Sequence, residues 1–434
     1  MIKKLSAILF SAVMAISLVA CGGSSDSKQE GNTVAKGDAN ADDTLTVWCW
    51  DPTFNIAAMK EAAKQAGVKV DIVETSSDDC EAKLITAATS GQYDSLADII
   101  LLQDNSYQKF LEAYPDAFVA LDDIDIDWSK FSELKQNYSI KDGKHYGVPF
   151  DNGAAIGAYR TDILKKAGYT VDDFTDISWS KFIEMGEQVY KKTGKYMLSG
   201  MANSPDTIMM MLQSCGASLF DEQGNAFIEG NKSLEVVLDL YKEMVKKNVY
   251  LEVNSWDDYV GSISKENVAA VMTGNWITAS IMQNEEQAGK WAITNLPILE
   301  GVEGATHYSN VGGSSWYISS NCKNIALAEK LLASTFGSSV EFYESILPTT
   351  GAISTYLPTA DSTAYQEKQA FWSDEPIFAK VVEFSSKVPS IATSPSYYEG
   401  RETIGTAVQN IIGGTDKATA LKDAQAELEF RMQE

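Results

Sequence analysis

Apolar runs of five or six residues alternate with amphipathic stretches through the first part of the chain that can fold. Residues 45–49, 68–73 and 97–102 read as strands, with helices over 56–66 and 79–89 between them, the first closed by Gly67. Strands alternating with helices imply a parallel sheet built from βαβ units. In open sheets of this kind ligands dock beyond the carboxyl ends of the strands. Those ends carry Trp50, Asp51 and Asn55 after the first strand, and Gln103, Asp104 and Asn105 after the third.

The pattern pivots on residues 147–162, Gly-Val-Pro-Phe-Asp-Asn-Gly-Ala-Ala-Ile-Gly-Ala-Tyr-Arg-Thr-Asp. The small, apolar 154–159 reads as a buried strand. Pro149 cannot donate a ladder hydrogen bond, so pairing is expected to stop or change partner there. Gly153 and Gly157 leave room for another backbone or a ligand to approach. Asp151 and Asn152 sit at the mouth of this apolar segment. It reads either as an edge strand with a polar turn, or as a hinge strand passing between two lobes with Asp151 and Asn152 facing the cleft. Upstream, residues 121–127 alternate aspartates with apolar residues. A calcium loop counted from Asp123 would need Gly and Glu where Trp128 and Leu134 stand, so a solvated edge strand is expected instead.

Helical periodicity dominates afterwards. Trp179, Phe182, Ile183, Val189 and Tyr190 share one helix face, and Leu234, Val237, Leu238, Tyr241 and Val245 another that ends in Lys246 and Lys247. Residues 268–272 read as a buried strand before Thr273-Gly274-Asn275-Trp276, and 291–294 as a short one. A helix spans 325–336, and three more fill the tail, the last marked by Leu421, Ala424, Leu428 and Met432. Breaks rich in Gly and Pro at 147–153, 310–315 and 348–352 are candidate crossings between lobes.

At 434 residues the chain exceeds one compact core, which also favours two lobes. Its 44% hydrophobic and 22% charged content is that of a globular protein. A formal charge of -25 argues against nucleic acid as a partner and against docking on anionic lipid. The amino terminus stands apart. Lys3 and Lys4 precede an apolar or small run from Leu5 to Ala20, which reads as a signal peptide over 1–20. Leu18-Val19-Ala20-Cys21, followed by Gly22-Gly23-Ser24-Ser25, looks like a bacterial lipobox with Cys21 as the acylated residue; the alternative is a plain secretory signal with an incidental cysteine. Residues 22–43 carry no apolar residue larger than Val34 and are expected to act as a flexible tether spanning roughly 25 Å. Cys49, Cys80, Cys215 and Cys322 contain no CxxC pair, and both one or two disulfides and buried free thiols remain open.

Only two histidines occur, His145 and His307, and no HExxH, GxSxG, Walker A or GxGxxG string is present. Among nine Trp, nineteen Tyr and sixteen Phe, those at strand ends or loops beside polar residues are Trp50, Trp256 and Trp276. Aromatic faces with Asp, Asn and Arg side chains suit a sugar, whose C–H face packs on the ring while its hydroxyls bond to the polar groups.

With these parts placed, the chain resembles the carbohydrate-binding lipoproteins of bacterial ABC importers, of the maltose-binding-protein type. The resemblance rests on Gly147-Val148-Pro149-Phe150 with Tyr159-Arg160-Thr161-Asp162, on 269–276, on Gly312-Gly313 with Trp316, and on Ala420-Leu421-Lys422-Asp423-Ala424-Gln425. It implies an α/β, two-lobed type II periplasmic-binding-protein fold. Each lobe would be a mostly parallel sheet flanked by helices, with three hinge crossings. The N-lobe would comprise 44–150 plus 313–348, and the C-lobe 151–312 plus 349–434. It further implies that Trp276 stacks on sugar, that Asp51, Asp104 and Asn105 lie in loops supplying hydroxyl ligands, and that Asp151, Asn152, Gly312 and Gly313 lie at crossings. Arg401 falls where maltose binders place an aromatic, and Leu102 where they have a tryptophan; both departures point away from maltodextrin. The expected protein has no catalytic residues, cofactor or metal. It is an extracytoplasmic monomer, held to the outer face of the cytoplasmic membrane by its lipid alone, that captures a mono- or oligosaccharide for an ABC permease. The alternatives are a receptor for another small solute, such as a peptide or polyamine, and a surface glycoside hydrolase with two facing carboxylates.

Overall fold

Strand and helix periods separate cleanly at the start of the folded chain, and β1 (Thr44–Cys49), β2 (Lys69–Glu74) and β3 (Ile99–Gln103) follow the apolar runs. The computed structural model describes residues 43–433 except 132 and 203, so the candidate signal peptide, Cys21 and the tether to residue 42 lie outside the described residues. β1 pairs in parallel with both β2 and β3. The connecting helices are Asn55–Ala66, ended by Gly67 in the left-handed conformation at φ 64°, and Ser77–Ser90, capped by the Ser76 side chain.

A small hairpin, β4 (Ile140–Lys141) with β5 (Lys144–His145), leads into β6 (Gly147–Arg160). A parallel pair, β7 (Leu198–Met201) with β8 (Tyr250–Val253), stands apart. β9 (Ala270–Gly274), β10 (Trp291–Thr294) and β11 (Asn310–Ile318) complete a seven-stranded sheet of order β10-β6-β11-β3-β1-β2, with β9 also on β6. The sheet is mixed. β6 and β11 run antiparallel to their neighbours, and among the named strands parallel pairing is confined to β1–β3 and β7–β8.

β6 is fourteen residues long and buried throughout except at Asn152, which rules out an edge strand. Because strand side chains alternate, it serves three cores in turn. Val148 and Phe150 pack with Val47, Leu101 and Trp316. Ala155 and Tyr159 face Phe174 and Leu234, while Ala154, Ile156 and Ala158 face Ile277 and Phe378. The change of partner falls at Ala154–Ala155, where β9 and β10 replace β11, and not at Pro149. Pro149 pairs with Ser315 beside a register shift in β11, which absorbs its missing donor.

Two other expectations give way to tertiary context. Residues 121–127 form turns around buried Leu121 and Ile124 instead of an edge strand. The Val340–Thr350 helix runs through Pro348, which sits in its last turn, and ends at Gly351. Just beyond, Ser354 bridges Asp151 of β6, and Asn275 Nδ2 donates to Gly351 O at 3.1 Å. The four described cysteines are free and buried; burial holds the Cys49, Cys80 and Cys322 thiols up at about 12.

Candidate functional site

Where the two halves meet, a narrow cavity of about 20 Å³ has room for about one water. Its lining includes Asn105 and Tyr138 from one half, and Asp206, Tyr397 and Arg401 from the other, with Asn310–Gly312 of β11 along the floor. Arg401 lies in the Tyr397–Ile412 helix, whose first turn supplies two aromatic faces. Its guanidinium stands 6.0 Å from the Tyr397 ring centre and 5.5 Å from that of Tyr398. Nη2 donates to Asp206 Oδ1 at 2.6 Å and to Ser204 Oγ at 3.4 Å. Both of these bonds leave from Nη2, and the guanidinium also reaches the Tyr397 hydroxyl.

Two tryptophans stand near the same β11 segment. Trp276 precedes the Ile277–Met282 helix, and its Nε1 donates to Val311 O at 2.9 Å. Its ring is half-buried against apolar groups of two cores. Trp256 opens the Trp256–Ser264 helix, is 41% exposed, and lies 5.8 Å from Trp276 at a 43° tilt. Gly312, at φ 88°, passes close to this pair: a Cβ there would come within 3.4 Å of Trp276 Nε1. Val311–Gly312 thus lies close to both the ion pair and the aromatic pair.

The remaining candidates are engaged elsewhere. Asp104 and Asp151 are both buried and belong to a network centred on Lys135. The Lys135 ammonium pairs with Asp104, and donates to Asp151 O at 2.8 Å and Ser314 O at 3.0 Å. Ser315 Oγ donates to Asp104 Oδ1 at 2.9 Å; the Ser314 N–H and hydroxyl donate to Asp151 Oδ1 at 2.9 and 2.5 Å. Burial pushes Asp151 up to about 6, with Lys135 pulling the other way. Burial likewise raises Asp104 against the opposing pull of Lys135. Gly313, at φ 112°, is required here: a Cβ would sit 2.7 Å from Asp104 Oδ2. Asn152 is half-buried, with Nδ2 3.4 Å from Ser354 O.

The loop after β1 is also self-contained. Asn55 is buried and its Oδ1 accepts the Trp50 and Asp51 N–H groups at 3.1 and 3.0 Å. Asp51 Oδ1 accepts from Thr53 N and Oγ1 at 2.8 Å each, shaping the turn into the first helix. Trp50 packs at the edge of the first core. The structure therefore brings Asn105, Arg401 and Gly312 to the cavity, Trp256 and Trp276 beside it, and leaves Trp50, Asp51 and Asn55 in a turn. Sequence reading missed Asp206, Tyr138, Tyr397 and Lys135. Tyr397 and Tyr398 stand four and three residues before Arg401, a helical-face spacing that could have exposed them.

The two halves share crossing strands, with a polar and aromatic cavity at their junction. The fold matches the ABC transporter associated binding protein from B. animalis subsp. lactis Bl-04 in complex with β-1,6-galactobiose. The TM-score is 0.77 at 16% identity, covering 90% of this chain and 97% of that one. The galacto-N-biose/lacto-N-biose I-binding protein of Bifidobacterium longum matches with a TM-score of 0.71 at 16% identity, over 92% and 98%. Residues 57–379 match the family model described as bacterial extracellular solute-binding protein. A lactose-binding protein of Rhizobium radiobacter is 37% identical over 352 residues, 80% of this chain and 83% of the relative. An arabinooligosaccharide-binding protein of Halalkalibacterium halodurans is 25% identical over 81% and 80%. The chain belongs to the bacterial extracellular solute-binding protein family, and is a binding protein, not an enzyme.

Proposed function

We propose that this protein captures a mono- or oligosaccharide, galactosides foremost, between its lobes and delivers it to an ABC permease. One observation carries the reading: Val311–Gly312 lines the cavity with the Asp206–Arg401 pair and is also touched by Trp276 of the Trp276–Trp256 pair. Sugar hydroxyls donate to a carboxylate and accept from a guanidinium, while a pyranose C–H face packs on indole. The galactoside preference is drawn from the lactose-binding relative. It agrees with Arg401 and Leu102 standing where maltose binders have aromatics.

On this reading the lobes are 44–150 plus 313–348 and 151–312 plus 349–434, and they close about β6, β11 and the segment after Gly351. The protein acts as a monomer outside the cytoplasm, tethered through acylated Cys21. Thermal shift over lactose, β-1,6-galactobiose, maltose, an arabino-oligosaccharide and spermidine tests the ligand class. A ligand at a hundred times its dissociation constant should add about 2.7 kcal/mol of stability. Stabilisation by spermidine alone would replace the saccharide reading with a polyamine one. A Cys21→Ser variant should move from the detergent phase to the aqueous phase; continued membrane partitioning would refute the anchor.

A further inference from the structure

Two side-chain contacts join the halves in addition to the crossing strands, next to the cavity. The Tyr398 hydroxyl donates to Gln103 Oε1 at the end of β3, and the Lys109 ammonium pairs with Glu399 Oε1. Gln103 and Lys109 belong to the half containing β1–β3, with Lys109 in the Asp104–Ala113 helix. Tyr398 and Glu399 lie in the first turn of the Tyr397–Ile412 helix, which packs in the other half. The second carboxylate oxygen of Glu399 is buried with no hydrogen-bond partner among the described residues. Glu81 stands nearby, with Oε1 accepting from Ser106 Oγ at 2.5 Å; burial raises its carboxyl, and Lys109 and Glu399 act on it in opposite senses. Without Lys109, Glu399 would therefore face a like charge in a partly desolvated place.

We infer that Lys109, Glu399 and the Tyr398–Gln103 bond form a latch that prolongs the closed state, so that they are positioning residues for ligand retention. The latch rests on the reading that the lobes open and close on a solute. Its geometry supplies the coupling. Tyr397 and Arg401 line the cavity, while Tyr398 and Glu399 of the same helical turn reach the opposite half. A ligand that seats Arg401 thus brings the latch together. In the open state Lys109 and Glu399 return to water, so the contact acts on dissociation and not on encounter. At 41% and 19% side-chain exposure the pair is only partly shielded, and a modest effect is expected.

Zero-length carbodiimide coupling followed by peptide mass spectrometry tests the contact without any ligand. A Lys109–Glu399 amide cross-link is expected in the wild-type chain, with a higher yield in saturating lactose. In stopped-flow fluorescence with lactose, Lys109→Met and Glu399→Gln should each raise the dissociation rate about 3- to 10-fold with the association rate unchanged. The double variant should be no worse than either single one. A purely architectural role would instead lower the melting temperature of the ligand-free chain, which the latch leaves unchanged. Absence of the cross-link overturns the latch whatever the ligand, and so do unchanged dissociation rates where lactose binds. If lactose fails to bind the wild type, the galactoside reading fails separately, and the cross-link alone decides the latch.

Discussion

Lys135–Asp104 and Arg401–Asp206 are both acid–base pairs beside the crossing strands, yet they differ in how far they are shielded. The Lys135 ammonium has three donors, and Asp104, Asp151 O and Ser314 O take all three. Its side chain is 5% exposed. Arg401 gives Nη2 to Asp206 and Ser204, and the pair stays 20% and 43% exposed, with both residues lining a cavity. A saturated, buried pair holds backbone in place, whereas a part-exposed pair at a cavity can recognise. Polar residues at strand ends are therefore ligand candidates only where they remain accessible.

The largest way to break this comparison is Lys135→Met. It strips the cation from buried Asp104 and from two strand carbonyls. Urea denaturation should show a loss of about 3–5 kcal/mol, partly restored in Asp104→Asn/Lys135→Met. A loss below about 1 kcal/mol would make the network decorative.

Asp151 sharpens the same point through pH. Its folded value, about 6 against an ordinary 3.8, is raised, so the folded state favours the neutral acid. That contribution is complete below about pH 3.8 and disappears as pH rises through 6. Asp151→Asn keeps an acceptor for the Ser314 donors but never ionises. The variant should match wild type near pH 4 and exceed it by about 3 kcal/mol at pH 7.5. A difference that stays constant across this range would mean Asp151 titrates as an exposed carboxylate does.

At the part-exposed pair the expectation reverses. Arg401→Ala should leave the free protein within about 1 kcal/mol of wild-type stability, because Asp206 is half-exposed and returns to water. Calorimetric affinity for the saccharide that binds should drop by about 2–4 kcal/mol. Destabilisation with intact affinity would move Arg401 into the architecture beside Lys135.

How much of this was legible follows from the range of each signal. β1–β3 and their helices were readable because period and caps are local, and Gly67 closes its helix as expected. The burial of β6 was readable from composition, but its change of partner at Ala154–Ala155 depends on β9 and β10, more than a hundred residues away. Pro348 suggested a break, yet the helix continues to Thr350 and Gly351 ends it. Asp104 was legible as a carboxylate just beyond a strand end, and Asp151 as one at a crossing. Their saturation was not, because it depends on one lysine in a five-residue helix. Trp276 was visible as an aromatic after a strand, but the acceptor for its Nε1 lies 35 residues on.

The smallest expected effect concerns Trp256, the aromatic that separates stacking from packing most cleanly. Trp276 serves both purposes: its ring contacts two cores and its Nε1 holds Val311, so truncating it lowers stability and binding together. Trp256 is 41% exposed, and the Ser255 side chain, not the indole, caps its helix. Few neighbours lose contact when its ring is removed, so Trp256→Ala should change unfolding free energy by no more than about 0.5 kcal/mol. If a second sugar ring rests on it, affinity for a disaccharide should fall by about 1–1.5 kcal/mol, roughly tenfold, while affinity for the monosaccharide stays unchanged. Equal losses for both would place the first ring, not the second, on Trp256. No loss for either would confine the site to Trp276 and the Asp206–Arg401 pair.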